Sequence, residues 1–173
     1  MTTILNTQNR SDDKNTRLKN ILACVLCILI TLAIGAISGY ITFDKTNGWW
    51  FDALKKPSLQ PPDKVFGSIW FTLYLLMGIS LYLVWKSPKT NLRTSALWIF
   101  GIQLFLNFCW SILFFSFHLL FISIIDIALI WVLILYMIFL FRITKASAGY
   151  LNIPYLFWLS FATVLNISIW ILN

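Results

Sequence analysis

The sequence contains five apolar stretches, each long enough to cross a lipid bilayer as a helix. A transmembrane helix needs about 20 predominantly apolar residues. Hydrophobic residues make up 60% of the chain and charged residues 11%, whereas about a quarter of a soluble domain is charged. We therefore predict an all-α integral membrane protein, a single-domain bundle of five transmembrane helices. The predicted spans are residues 21–43, 65–85, 95–117, 121–141 and 150–172.

The segments outside these spans differ in length and composition. Residues 1–19 are polar, and we predict that they form a disordered tail before the five-helix domain of residues 20–173. Residues 44–64 form a long loop rich in Pro and Trp between the first two helices, expected to pack over one mouth of the bundle. Short connections are predicted at 118–120 and 142–149.

The distribution of basic residues predicts the orientation in the membrane. Nine Lys and Arg residues lie on one side of the membrane, in residues 1–19, 86–94 and 142–149. Four lie on the opposite side, in residues 44–64. Basic residues favour the cytoplasmic side. We therefore expect a cytoplasmic N-terminus and a C-terminus on the opposite side. The net charge of +7 is spread over the ends of the spans, so it indicates contact with lipid headgroups and not a nucleic-acid partner.

Amide and carboxylate side chains lie inside the apolar stretches, among them Gln103, Asn107, Asp126 and Asn166. Such groups are costly at membrane depth, face the interior of a bundle, and mark binding cavities or pathways. For the amides, the alternative is hydrogen bonding between helices, with about 0.6 kcal/mol per contact. For Asp126 the alternatives are a solvated or capping position near the mouth and a role inside the membrane.

Three spans each carry a Trp on the same helical face as a polar or small residue. Helical spacing gives these faces: Gly67, Trp70, Tyr74 and Gly78; Gln103, Asn107, Trp110, Ser111 and Phe114; Tyr155, Trp158, Ala162, Asn166 and Ile169. Aromatic faces of this kind often serve packing alone. Their coincidence in three spans predicts a pocket for a flat, largely apolar ligand such as a tetrapyrrole or a sterol.

Several kinds of site have little support in the sequence. His118 is the one histidine, with no second ligand at metal-binding spacing, so we predict no protein metal site. Cys24, Cys27 and Cys109 lie in apolar stretches and are interpreted as small buried hydrophobic residues. No conventional hydrolytic or phosphoryl-transfer set of residues is evident. We expect no required cofactor.

From about Trp50 to Asn173 the chain resembles the translocator protein / tryptophan-rich sensory protein (TspO/MBR) family. The order and spacing of several motifs carry the resemblance. These are Trp50-Phe51-x-x-Leu54-x-Lys56-Pro57, Pro61-Pro62, Phe66-Gly67-x-x-Trp70-x-x-Leu73-Tyr74, Gln103-Leu104-x-Leu106-Asn107-x-x-Trp110-Ser111, Phe114-Phe115, and Pro154-Tyr155-Leu156-x-Trp158-x-x-Phe161-Ala162-x-x-Leu165-Asn166.

The resemblance implies a homodimer of five-helix subunits that binds porphyrins, such as protoporphyrin IX or haem, in the lipid bilayer. It implies sensing, with light- and oxygen-dependent porphyrin breakdown by Trp70 and Trp158 as an added activity; the alternative is transport of tetrapyrroles or other small hydrophobic ligands. The ligand-binding residues implied are Phe51, Pro61, Trp70, Tyr74, Asn107, Trp110, Ser111, Asp126, Trp158 and Ala162.

The chain departs from the family pattern at three places. Phe51 replaces a family Tyr and loses a hydroxyl, and Leu59 replaces a Trp near Pro61. The cholesterol motif of animal members requires a Tyr and a basic residue near the end of the fifth span. Residues 165–173 contain neither, so the resemblance does not extend to that motif.

Overall fold

A computed structural model describes the backbone of residues 2–46 and 49–173, and the side chains of residues 14–42, 50–62 and 64–173. The described residues form α-helices joined by short connections, with one π-helical turn and no strand. The helices are α1 (Thr2–Thr46), α2 (Trp49–Ala53), α3 (Asp63–Trp85), α4 (Asn91–Ser111), α5 (Leu120–Thr144), α6 (Ala146–Tyr150) and α7 (Ile153–Leu172). Five segments are long and apolar enough to cross a membrane, which confirms the predicted fold class.

Helix α1 begins at Thr2, so helix replaces the disordered tail predicted for residues 1–19. The sequence has neither Gly nor Pro before Gly35, and therefore nothing in this segment ends a helix. The side chains of residues 14–19 are exposed. The apolar part that can span the membrane covers Lys14–Thr42.

The predicted long loop is interrupted by the short helix α2. The chain then runs without helix until α3, which begins directly after Pro61 and Pro62. Pro62 is the N-cap residue of α3, with φ −56° and ψ 146°. A backbone N–H at the start of a helix has no partner within the helix, so the missing N–H of proline costs no helical hydrogen bond. The segment between α2 and α3 is non-helical and contains a turn, in which the Gln60 N–H donates to the carbonyl oxygen of Pro57 at 3.0 Å.

Helices α1 and α3 pack closely because α3 and α1 each supply a glycine at the contact. A Cβ atom on Gly78 would lie 2.5 Å from the Cα atom of Ile28. Gly35 contacts the ring of Tyr74, and the hydroxyl of Thr31 donates to the carbonyl oxygen of Tyr74 at 2.8 Å. Gly39, by contrast, faces open space. These contacts fix the height of Tyr74 relative to α1.

The connection from α4 to α5 is tight, as predicted. Helix α4 continues into the π-helical turn Ile112–Ser116, and His118 adopts a left-handed conformation with φ 58°. Phe114 and Phe115 lie in this turn and are buried, with exposed fractions of 3% and 8%. This turn therefore supplies aromatic rings to one end of the bundle.

The predicted loop at residues 142–149 is wrong, because α5 continues to Thr144 and α6 follows at once. Buried hydrogen bonds hold α6 and the start of α7 against α3. The hydroxyl of Ser80 donates to the carbonyl oxygen of Ala148 at 3.1 Å, and the Asn152 amide donates to Ser80 at 2.6 Å and to Ala148 at 2.9 Å. The start of α7 is fixed by these bonds.

Helices α3 and α7 pack against each other less closely than α1 against α3 or α5 against α7. Helix α1 packs against α3 and α4, and α5 packs against α4 and α7. Helices α3 and α7 instead approach each other through aromatic side chains, with ring centroids 5.5 and 6.1 Å apart. A groove remains between them.

Candidate functional site

A chain of hydrogen bonds links three of the long helices in the interior of the bundle. The hydroxyl of Tyr74 donates to Oδ1 of Asn107 at 2.5 Å, and Nδ2 of Asn107 donates to the hydroxyl of Tyr155 at 2.8 Å. Tyr155 in turn donates to Oε1 of Gln103 at 3.2 Å. All four side chains are buried, with exposed fractions of 7% or less. In such a low-dielectric setting each bond fixes the orientation of the next.

The two predicted indoles lie on the same side of the bundle, on either side of one phenylalanine. The ring centroid of Phe66 is 6.2 Å from that of Trp70 and 5.5 Å from that of Trp158. Trp70 also lies 5.6 Å from Tyr74 and 6.1 Å from Tyr155. The aromatic row Trp70–Phe66–Trp158 therefore adjoins the hydrogen-bond chain directly.

The groove between α3 and α7 has a volume of about 910 Å³ and is mostly apolar. Of the predicted ligand-binding residues, Trp158 lines it. Its indole N–H is buried and has no acceptor among the described residues. The lining consists of Lys64, Val65, Ser68, Ile69, Thr72, Leu73, Leu76, Pro154, Phe157, Trp158 and Phe161.

A second aromatic cluster closes the end of the bundle beneath the α2–α3 segment. Phe51 of α2 is buried, and its ring lies 6.4 Å from Phe114 and 5.4 Å from Phe115. Trp110 stacks on Phe114 at 5.3 Å, and its N–H has no acceptor among the described residues. The predicted lining residues Phe51 and Trp110 are thus packed together here.

The lid over this end comprises α2 and the non-helical segment, residues 54–62, that leads to α3. Outside the buried cluster, Trp50 stacks on His118 with ring centroids 3.9 Å apart, and Nζ of Lys56 lies 4.0 Å above the ring of Phe51. Pro61 is half-buried in this non-helical segment. These contacts join the lid to the α4–α5 turn.

Asp126 is buried, with an exposed fraction of 7%. Its Oδ2 atom has no hydrogen-bond partner in the described part of the chain. This burial argues against a solvated side chain, and a role of Asp126 inside the membrane stays a prediction. Ala162 is also buried, and Ser111 is half-buried at the end of α4.

Asn166 has a structural partner. Its amide group and the hydroxyl of Ser123 lie 3.2 Å apart and join α7 to α5. Both side chains are buried. This is the helix-to-helix alternative that the sequence left open for the amides.

Tyr155, Gln103 and Phe66 belong to the assembly although they are absent from the ligand-binding residues that the sequence implied. Tyr155 shares a helical face with Trp158, and Gln103 shares one with Asn107, so helical spacing was the available signal. Phe66 lies one turn before Trp70. The spacing alone gave no reason to prefer these residues to other neighbours.

Comparison with known proteins gives consistent matches. The sequence profile of the TspO/MBR family matches residues 27–171. The chain is 37% identical to the tryptophan-rich protein TspO of Chlorobaculum tepidum over 90% of this chain and 98% of that protein. It is 40% identical to the protein of the same name from Archaeoglobus fulgidus, over 89% and 99% of the two chains. Identity to the human translocator protein is 35%, over 70% and 73%.

Proposed function

The chain belongs to the TspO/MBR family, and from that premise we propose that it binds and senses tetrapyrroles within the membrane. The observation that carries this proposal is the aromatic row Trp70–Phe66–Trp158, which contacts the buried hydrogen-bond chain at Trp70 and lines the groove at Trp158. Ligand pockets typically measure about 300–1,000 Å³, and the groove of about 910 Å³ lies within that range.

The chemistry of the assembly suits a flat, largely apolar ligand. Indole and phenyl rings offer large apolar faces and edges to an aromatic macrocycle, in offset-stacked or edge-to-face contact. The hydrogen-bond chain through Asn107 holds Tyr74 and Tyr155 in place, so the adjacent Trp70 ring has fixed neighbours. A ligand reaches this side of the bundle from the lipid, because the groove opens between α3 and α7.

The residues that line the groove favour a metal-free porphyrin such as protoporphyrin IX over axial coordination of haem iron. The lining contains no His, Cys, Met or Tyr, which are the usual protein ligands of haem iron. His118 lies at the lid, stacked on Trp50, outside the residues that line the groove. Haem binding here would therefore rely on the macrocycle and its substituents.

Co-purification tests the proposal most simply. The protein is expressed in a porphyrin-producing host, purified into lipid nanodiscs and examined by absorbance spectroscopy. We expect an intense band near the Soret wavelength of a porphyrin, and saturable recovery of that band when protoporphyrin IX is added to stripped protein. Protein that neither retains nor takes up porphyrin beyond empty nanodiscs would contradict the proposal.

Turnover of the bound porphyrin under light is a second candidate function, favoured by the two indoles that flank Phe66. An excited porphyrin transfers energy to oxygen, and the singlet oxygen formed adds across a double bond of the macrocycle and cleaves it to two carbonyl groups; the two indoles would hold the macrocycle during this step. Illumination in air should then bleach the porphyrin band and produce a new band. If Trp70→Phe/Trp158→Phe protein gives the same product at the same rate, free-solution photochemistry is the explanation.

Assembly as a homodimer is part of the same proposal. Gly35 and Gly39 of α1 have the small-x-x-x-small spacing of helix association in membranes. Gly35 is already packed against Tyr74 of its own chain, whereas Gly39 faces open space. Any dimer contact must therefore use residues other than Gly35. Chemical crosslinking in nanodiscs loaded at low protein density should give a discrete dimer band, and a purely monomeric product would count against assembly.

A further inference from the structure

We propose that Lys64 selects tetrapyrroles that carry a carboxylate, by pairing with that carboxylate when the ligand occupies the groove between α3 and α7. This inference rests on the proposed tetrapyrrole-binding function and deepens it. The composition of the groove and the hydrogen bonds around it indicate both the carboxylate that is recognised and the lysine that recognises it.

Among the described residues that line the groove, Lys64 is the one that carries a charge. It lies in the first turn of α3, and the α3 lining continues along one face to Leu76. Twelve residues of helix correspond to about 18 Å, so the groove has one charged end and a long apolar body. An amphipathic ligand with an anionic edge matches that distribution of charge.

The ammonium group of Lys64 is available for a ligand. No described carboxylate lies within ion-pair distance of it; the one described ion pair nearby joins Lys56 to Asp52 at 3.7 Å. Lys56 is engaged further by the ring of Phe51, 4.0 Å from its Nζ atom. Lys64 is exposed and free to turn towards the groove.

The other polar groups in the groove do not compete with Lys64 as donors to an anion. The hydroxyl of Ser68 donates to the carbonyl oxygen of Lys64 at 2.8 Å, and that of Thr72 donates to Ser68 at 3.0 Å. Their protons are therefore already used. The lining has two uncommitted donors among the described residues, the ammonium of Lys64 and the N–H of Trp158.

The position of Lys64 relative to the aromatic row suits a porphyrin with acidic side arms. Trp158 is the member of this row that lines the groove, together with Lys64. The long side chain of a lysine near a helix end reaches the membrane interface while its aliphatic part covers apolar surface. A macrocycle in the groove, against Trp158, would thus place its acidic edge near the lysine and the headgroups.

The test compares a porphyrin dicarboxylic acid with its neutral diester. Mesoporphyrin IX and its dimethyl ester are titrated against wild-type protein in phosphatidylcholine nanodiscs, with empty nanodiscs subtracted. We expect the wild type to bind the acid about tenfold more tightly than the diester, as for a partly desolvated ion pair. Lys64→Gln should abolish this preference through weaker binding of the acid alone, and Lys64→Arg should retain it.

Lys55→Gln is the matched control. It removes one positive charge from the same side of the bundle, but the Lys55 side chain is exposed and does not line the groove. It should discriminate as the wild type does. Lys64→Glu is a second test variant. Its carboxylate should repel mesoporphyrin IX, so this variant should bind the acid less tightly than Lys64→Gln does.

Two results would overturn the inference. One is equal affinity of the wild type for acid and diester; the other is a preference that survives in both Lys64→Gln and Lys64→Glu. Failure of the proposed function looks different, since neither porphyrin would then bind above empty nanodiscs. The two failures are therefore distinguishable in one set of titrations.

Discussion

The side chain of Asn173 forms two hydrogen bonds with the backbone of Lys55. The Lys55 N–H donates to Oδ1 of Asn173 at 2.9 Å, and Nδ2 of Asn173 donates to the Lys55 carbonyl oxygen at 3.1 Å. Nδ2 also donates to the carbonyl oxygen of Ile169 at 2.8 Å. One amide group thus joins the lid to the last turn of α7.

Replacing Asn173 with Ala should loosen the lid without unfolding the bundle. Two hydrogen bonds at an exposed site contribute about 1–2 kcal/mol together, and the lid is otherwise held by the aromatic contacts of α2. Limited trypsin digestion after Lys55 should accelerate several-fold, whereas the Lys56–Pro57 bond resists trypsin in all variants. Asn173→Asp, which keeps the acceptor and loses the donor, should fall between wild type and Asn173→Ala. Equal digestion rates for all three proteins would contradict this role.

Replacing Asn107 with Leu should destabilise the bundle more than loss of either tyrosine hydroxyl alone. Asn107 contacts both Tyr74 and Tyr155, so its removal leaves two buried hydroxyls without that partner. We expect a loss of about 1–3 kcal/mol in the free energy of unfolding. Unfolding in detergent should be measured for Asn107→Leu, Tyr74→Phe, Tyr155→Phe and their combinations. Strictly additive effects would show that the groups do not act as one network.

Gly78→Ala should destabilise the packing of α1 on α3. The added Cβ atom would meet the Cα atom of Ile28 at 2.5 Å, and backbone cannot move aside as a side chain can. Overpacking of this kind costs about 1–3 kcal/mol. Gly39→Ala is the control, because a Cβ atom there has no neighbour within 4 Å. Similar thermal stability of the two variants would contradict the observed contact.

The spans were predictable from the sequence because each is a long apolar stretch bounded by charge or proline. The ends of the predicted helices were less accurate for reasons that are local. Polar residues before Ile21 suggested a tail, yet nothing there stops a helix from extending to Thr2. Helix α6 was not predicted because its position depends on hydrogen bonds to the backbone of Ala148. These come from Ser80 and Asn152, which are far apart in sequence.

The side of each helix that carries polar and aromatic residues was also predictable, but their partners were not. Helical spacing grouped Gln103 with Asn107 and Tyr155 with Trp158. Which amide meets which hydroxyl depends on the rotation and height of the helices, and close α1–α3 packing at Gly35 and Gly78 contributes to both. The role of Phe66 between the indoles likewise appears only once α3 and α7 are side by side.

The orientation predicted from basic residues is testable by labelling of single cysteines. In a background of Cys24→Ala, Cys27→Ala and Cys109→Ala, exposed positions are replaced one at a time by Ser58→Cys and Lys89→Cys. A membrane-impermeant maleimide should label Ser58→Cys in intact cells and Lys89→Cys only after permeabilisation, since positive charge favours the cytoplasmic side. The reverse pattern would place the N-terminus outside.

The most direct test of the account is the affinity of the Trp70→Phe/Trp158→Phe protein for protoporphyrin IX, measured from porphyrin absorbance in nanodiscs. Trp98→Phe/Trp170→Phe is the matched control, because these two indoles are exposed on the lipid-facing surface, at 69% and 45%. Aromatic pairs contribute about 0.5–1.5 kcal/mol each, so the account predicts affinity about tenfold lower for the first variant and unchanged for the control. Equal affinity in the two variants would contradict a site at Trp70 and Trp158.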